Sequence, residues 1–175
     1  MKTVYCILTI AFLGLTSCSE SFLELDNPNK VTSNAYWNTE ADLAAGLATA
    51  YNSLVDDYNG HWGVVALELK EGRTENFQIR NDVRGRFDVS TYQNTISTGE
   101  TANFYKGCYT GIFRCNQVIH FADQVQGISD AKKAELVAEA KFIRGLQYFI
   151  LAIDFGAVPV ITSLAESRED YFNEK

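Results

Sequence analysis

The stretch SDAKKAELVAEAKFIRGLQYFILAIDFGAVP, residues 129–159, decides the fold. Leu136, Ala140, Ile143 and Leu151 fall near one face of a helix, and Phe142, Leu146, Phe149 and Ile153 near the next. Ser129-Asp130 can cap its start, because a hydroxyl or carboxylate there accepts from an otherwise unbonded amide of the first turn. Gly156 and Pro159 stop it, since glycine suits the left-handed residue after a helix and proline cannot continue one. So broad an apolar surface is expected to pack on more than one neighbour, with Val158 to Ile161 leaving it as an extended tail.

Upstream, Tyr105, Cys108, Ile112, Cys115, Ile119 and Ala122 form a stripe at steps of three and four. They predict a second long helix from about Thr101 to Asp123, its stripe widened by Tyr109, Phe113 and Val118. Another helix, over roughly 40–56, opens on a capping-box-like Thr39-Glu40-Ala41-Asp42 and shows one face with Leu43, Leu47, Ala50, Tyr51 and Leu54. Small residues recur in all three: Ala44, Ala45, Gly46, Ala48 and Ala50, then Gly107 and Gly111, then Ala138, Ala140 and Gly145. Helices with small residues at their crossings approach closely, so the expected fold is mainly α. It is read as tetratricopeptide-like helix pairs with long irregular loops, although no clean 34-residue repeat is present.

Between the first two helices, residues 57–97 lose this periodicity. Glycines stand at 60, 63, 72 and 85, with charge pairs such as Lys70-Glu71 and the run Arg84-Gly85-Arg86. Val64 to Leu69 reads as a helical turn or a short strand, and the rest as loop. A loop this long inside a compact domain is uncommon, and a functional surface is one reason for it.

The first eighteen residues concern location. Met1-Lys2 is a short positive start, Val4 to Leu15 an apolar run too short to span a bilayer, and Thr16-Ser17 are small residues before Cys18. Residues 1–17 therefore read as a signal peptide. Leu15-Thr16-Ser17-Cys18 resembles the bacterial lipobox, which implies cleavage before Cys18 and a diacylglycerol on its sulfur. Several acyl chains anchor stably, since each buried CH₂ contributes about 0.8 kcal/mol. Residues 18–38 then form a lipidated leader, and 39–175 the helical domain. Trp37 is expected to staple the first helix into the core.

With a net charge of −7 and a pI near 4.8, the chain lacks the basic cluster that nucleic acid or anionic lipid would need. The body holds two cysteines, Cys108 and Cys115. Seven residues apart on a helix, their Cα atoms are separated by about 10 Å, too far for a disulfide, which makes them small core side chains. The histidines are His61 and His120, the second near an apolar stripe. There is no metal-ligand spacing, nucleophile elbow or glycine-rich phosphate loop, so neither a metal, a cofactor nor catalysis is expected.

Several segments together look familiar: Cys18-Ser19-Glu20-Ser21-Phe22-Leu23-Glu24, Thr39 to Leu43 opening a helix to Ala50-Tyr51, Tyr105 through Asn116, and Ala138 to Arg144 running on to Tyr148-Phe149 and Phe155-Gly156-Ala157-Val158-Pro159. The pattern resembles the N-terminal part of the SusD/RagB family of outer-membrane nutrient-binding lipoproteins, over nearly the whole chain. The resemblance implies a lipid-anchored protein at the cell outer membrane that lids a TonB-dependent, SusC-like transporter. It also implies capture of oligosaccharides, or in some members peptides, for import. Members are usually much longer, so the chain is expected to be the N-terminal part of a larger SusD-like fold.

Sugar binding needs ring faces to stack on C–H groups, with amides or guanidinium groups to read hydroxyls, set on loops. The irregular segment supplies Tyr58, Trp62, Phe77, Phe87 and Tyr92, with Asn59, Asn76, Gln78, Arg80, Asn81 and Arg86 among them. Trp62, Phe77 and Tyr92 are the chosen candidates, with Asn76 and Arg80 as polar companions; packing of the loop onto the helices is the alternative role for any one ring. Arg144 interrupts an apolar face, where an unpaired charge is costly. Glu139, Glu135 or a neighbouring helix is expected to pair it, in a structural role. The competing reading of the whole is a helical lipoprotein scaffold that grips a protein partner and binds no small ligand.

Overall fold

The apolar positions of 104–121 recur at helical spacing, and they are the ones that the structure buries. Phe104, Cys108, Ile112, Cys115, Val118 and Phe121 lie at 0–4% exposure along one long helix. The structure, a computed structural model, describes residues 36–55, 62–95 and 98–164. One compact unit begins at Trp37 and contains the helices described below. Residues 1–17, read above as a signal peptide, Cys18, most of the leader expected over 18–38, Tyr58, Asn59 and His61 lie outside the described residues.

Five helices occur among the described residues: α1 Glu40–Val55, α2 Val64–Glu71, α3 Arg84–Ser90, α4 Gly99–Phe121 and α5 Asp130–Phe155. A 3₁₀ turn, Ala122–Gln124, follows α4. The three long helices begin and end close to where periodicity puts them. At the start of α1, Thr39 and Asp42 bond reciprocally: the Thr39 amide donates to Asp42 Oδ2 at 2.8 Å and the Asp42 amide to Thr39 Oγ1 at 3.2 Å. On α5, Ser129 Oγ accepts from the Lys132 amide at 3.2 Å. At the other end of α5, Gly156 takes φ 78° and ψ −131°, a conformation closed to residues with a Cβ, and so turns the chain out of the helix.

Helix α4 is the centre, packed against both α1 and α5. Its C-terminal half joins α1 and the first half of α5 in a core that includes Leu43, Leu47, Ala50, Leu54, Cys115, Val118, Leu136, Ala140 and Ile143. Its N-terminal half meets α2 and the end of α5 in a second cluster around Ala66, Phe104, Cys108, Ile112 and Leu151. Burial of each such aliphatic side chain contributes roughly 1.5–3 kcal/mol. Trp37 enters the first core as expected, stacked on Phe121 at 5.2 Å and lying over Gly46. Burial pushes both thiols, Cys108 and Cys115, up to about 12, so they are inert small hydrophobes.

Three expectations are corrected. First, Arg84–Ser90 is helix, not loop, and Val64–Glu71 resolves to helix rather than strand. Both are too short for a stripe to declare itself. Second, the close approaches use Gly46, Ala50, Gly107, Gly111 and Ala140, whereas Ala44, Ala45, Ala48, Ala138 and Gly145 are exposed. A Cβ at Gly111 would collide with Gln147 Nε2 and Ser53 Oγ, the buried pair that joins α5 to α1 at 2.9 Å. Third, α5 packs on two neighbours as expected, α4 and α1, but only part of its second apolar face is used: Leu146 packs against the first core, whereas Phe142, Phe149 and Ile153 are 71%, 62% and 63% exposed.

The tail after α5 is fastened by side chains. Arg144 Nη1 donates to Asn116 Oδ1 at 2.7 Å and to the Thr162 carbonyl at 2.8 Å. Asn116 Nδ2 in turn donates to the carbonyls of Ile161 and Ser163, both at 3.1 Å. The Tyr148 hydroxyl accepts from the Ile161 amide, and Tyr109 donates to the Pro159 carbonyl. Of the partners expected for Arg144, the neighbouring helix is the one found. Glu135 and Glu139 are bonded instead by Lys132 and Tyr51.

Candidate functional site

The segment between α1 and α4 has the composition of a ligand surface, and its two short helices position it. Arg86 on α3 and Glu68 on α2 form a two-point ion pair, Nε to Oε2 at 3.0 Å and Nη1 to Oε1 at 3.1 Å, with both side chains mostly buried. The first contact has the distance of a hydrogen bond but not its angle, so its contribution is coulombic. This pair holds α3 on α2, while Val89 and Ile79 supply buried apolar contacts at 0% and 6% exposure.

Of the five ligand candidates, Trp62 and Tyr92 stand out from the surface at 66% and 71% exposure. Asn76 and Arg80 are exposed and Phe77 is half-buried. Arg80 pairs with Asp82 and lines a cavity of about 480 Å³ with Gln78, Asn81, Asp82 and Phe87. Tyr92 is the one described non-glycine residue with positive φ, 58°, a conformation that costs a bulky side chain energy and marks functional loops more often than others. Its ring carries the Arg73 guanidinium at 5.2 Å. Trp62, Phe77 and Asn76 line none of the three described cavities, and those cavities bring together no two of the five candidates.

Sequence reasoning missed Arg73. Its Nε donates to the Val89 carbonyl at 3.1 Å and Nη2 to Asn94 Oδ1 at 2.9 Å, fixing the turn after α3 against the end of α2. Arg73 and Asn94 line a second cavity, of about 220 Å³, with Lys70, Thr101, Phe104 and Asp154. An arginine one residue past a helix-ending glycine was the available signal, but nothing in the linear order places it beside residues 92–94. A third cavity, of about 320 Å³ and mainly apolar, lies between α4 and the tail, bordered by Lys106, Tyr109, Phe113 and Ile161. The Tyr109 hydroxyl there is held protonated well above the usual range, first by burial and then by its neighbour Tyr105. Among the described residues no group of histidine, cysteine and carboxylate side chains could hold a metal ion.

Residues 21–173 match a SusD-like family model described as starch-binding and associating with outer membrane. The chain belongs to the SusD-like family. It is 26% identical over 166 residues to a SusD-like protein of Bacteroides ovatus, a match covering 92% of this chain and 29% of that protein. A SusD-like protein of Formosa agariphila is 27% identical over 161 residues, covering 89% of this chain and again 29% of the relative. The chain thus spans under a third of the length of these relatives. The crystal structure of a SusD superfamily protein from Bacteroides vulgatus superposes with a TM-score of 0.69 at 23% identity, over 75% of this chain and 29% of that one. The helical fold is therefore that of part of a larger SusD-like architecture.

Proposed function

We propose that this chain is the N-terminal part of an outer-membrane lipoprotein that binds an oligosaccharide and delivers it to a TonB-dependent, SusC-like barrel, without catalysing a reaction. In this reading residues 1–17 are removed, Cys18 carries the lipid, residues 18–38 are a leader to the surface, and 39–175 begin the binding domain. The observation that carries the reading is the family match over residues 21–173, with its description of starch binding and association with the outer membrane. The exposed rings of Trp62 and Tyr92 support it, because a solvent-facing aromatic face is what a pyranose stacks on.

The test is a mild-detergent pull-down of the native gene product from outer membranes, with mass identification of what accompanies it. Recovery of a TonB-dependent barrel supports delivery; a product that comes down with no barrel contradicts it. Palmitate labelling that survives Cys18→Ala would remove Cys18 as the anchor.

A protein-binding scaffold is the second reading, favoured by the uncovered Phe142, Phe149 and Ile153 on α5. The two separate by variant. Trp62→Ala with Tyr92→Ala abolishes glycan capture in the first reading, and Phe149→Asp abolishes partner capture in the second.

A further inference from the structure

We infer that the cavity between the end of α2, the Tyr92–Asn94 turn and the end of α5 takes the acidic group of a charged sugar, a uronate or a sulfate ester. The inference rests on the glycan-binding reading and narrows it to a ligand class. In a chain of net charge −7, this cavity is lined by two cations, Lys70 and Arg73, against one carboxylate, Asp154. Asp154 is matched to Lys70 at 3.4 Å, which among the described residues leaves Arg73 as the charge in excess. Arg73 itself touches neutral groups: a carbonyl, the Asn94 amide oxygen and the Tyr92 ring.

Only two of the five guanidinium donors are taken by those bonds, and the rest can receive an anion. A planar guanidinium anchored by Nε and Nη2 is fixed in orientation, so carboxylate or sulfate oxygens can meet it in a forked geometry. Neutral partners do not cancel its charge, so a bound anion meets an uncompensated guanidinium, with an attraction that solvent screens because Arg73 is exposed. The remaining lining suits the body of a sugar. Phe104 and Phe155 supply an apolar floor, while Asn94 and Thr101 offer an amide and a hydroxyl to ring hydroxyls. Tyr92, held beside Arg73 at 71% exposure, gives a face on which the next residue of the chain can stack. Aromatic face, guanidinium and a cavity of about 220 Å³ together fit one acidic monosaccharide within an oligomer.

The experiment titrates the full chain with three matched pairs: oligogalacturonate and its methyl ester, a carrageenan oligosaccharide and its desulfated form, and a heparin oligosaccharide and its desulfated, N-acetylated and carboxyl-reduced form. Maltoheptaose serves as the neutral reference. The expected result is that at least one acidic member binds roughly tenfold or more tighter than its neutral counterpart, the scale of one charge-assisted hydrogen bond, and that salt weakens it. Arg73→Gln should abolish that preference, and Lys70→Gln should reduce it, with melting temperatures measured for both. The pairwise comparison on the unaltered chain stands even where a variant unfolds. Equal binding within all three pairs, or binding of maltoheptaose alone, overturns the acidic-sugar inference and leaves glycan binding intact. An acid preference that survives both folded variants overturns this cavity as its site. Failure of every glycan overturns the inference and the reading beneath it together.

Discussion

The three-helix core and the segment 62–95 are held together by different physics. Around Leu43, Val118 and Ile143, cohesion comes from aliphatic side chains at 0% exposure, contributed by helices 16, 23 and 26 residues long. Around α2 and α3, helices of eight and seven residues are tied by an Arg86–Glu68 pair, by Arg73 on a carbonyl and an amide, and by a few buried apolar groups. Helices that short are not stable by themselves and depend on such ties. The first region is stiff scaffold; the second puts rings and charges at the surface and can change them without dismantling the core.

The largest expected effect tests the scaffold. Ile143→Ala removes a fully buried side chain from the first core and should cost about 2–5 kcal/mol in chemical unfolding. A loss under about 1 kcal/mol would mean that this core is not where the stability resides. Next comes the tail. Arg144→Met strips the donor from Asn116 Oδ1 and the Thr162 carbonyl, and should cost about 1–3 kcal/mol with faster hydrogen exchange at Ile161. Glycan affinity should be unchanged, and unchanged stability with lost affinity would make Arg144 a ligand contact instead. A similar cost, about 1–3 kcal/mol, is expected for Glu68→Gln, but confined to its own region. Hydrogen exchange should rise across 84–94 and stay slow in α4 and α5. Uniform acceleration through all helices would abolish the distinction between the two regions.

The same contrast decides what was legible in the sequence. Long stripes such as Phe104 to Phe121 declare a helix because many turns repeat one apolar pattern, and Thr39, Ser129 and Gly156 mark ends by local chemistry that needs no tertiary partner. Arg84–Ser90 has too few turns to repeat anything, and its helix exists because Arg86 meets Glu68, 18 residues earlier in sequence. Arg144 shows the half-legible case: its need for a partner could be read from the apolar neighbours, but Asn116 is found only when α4 lies alongside. At the candidate site, residue type identified Tyr92 as a ring on an irregular segment. Its companion Arg73 comes from 19 positions away and depends on how the turn after α3 folds back. That Phe142, Phe149 and Ile153 stay exposed while Leu146 packs was not legible for a related reason, since apolar composition reports that a surface can pack without saying which residues reach a neighbour.

The smallest expected effect concerns the edge of the scaffold, where even the stiff region relies on polar groups. The Thr39 hydroxyl, helped by the Thr39 and Asn38 amides, holds the exposed Asp42 carboxyl below its ordinary value of 3.8. Because the folded value is the lower one, the folded state favours the ionised form, and Asp42 adds stability at any pH above the unfolded value. That contribution fades as pH falls through the lowered folded value. The melting-temperature gap between the unaltered chain and Asp42→Asn should accordingly be constant from pH 7 to about 5 and narrow as pH falls below the ordinary carboxyl value of 3.8. Thr39→Ala, which removes both the acceptor for the Asp42 amide and a donor to its carboxylate, should cost about 1 kcal/mol. A gap that did not narrow at all below pH 3.8 would show that Asp42 acts through shape rather than charge. The start of α1 would then resemble the rest of the core, with sterics rather than charge deciding where the helix begins.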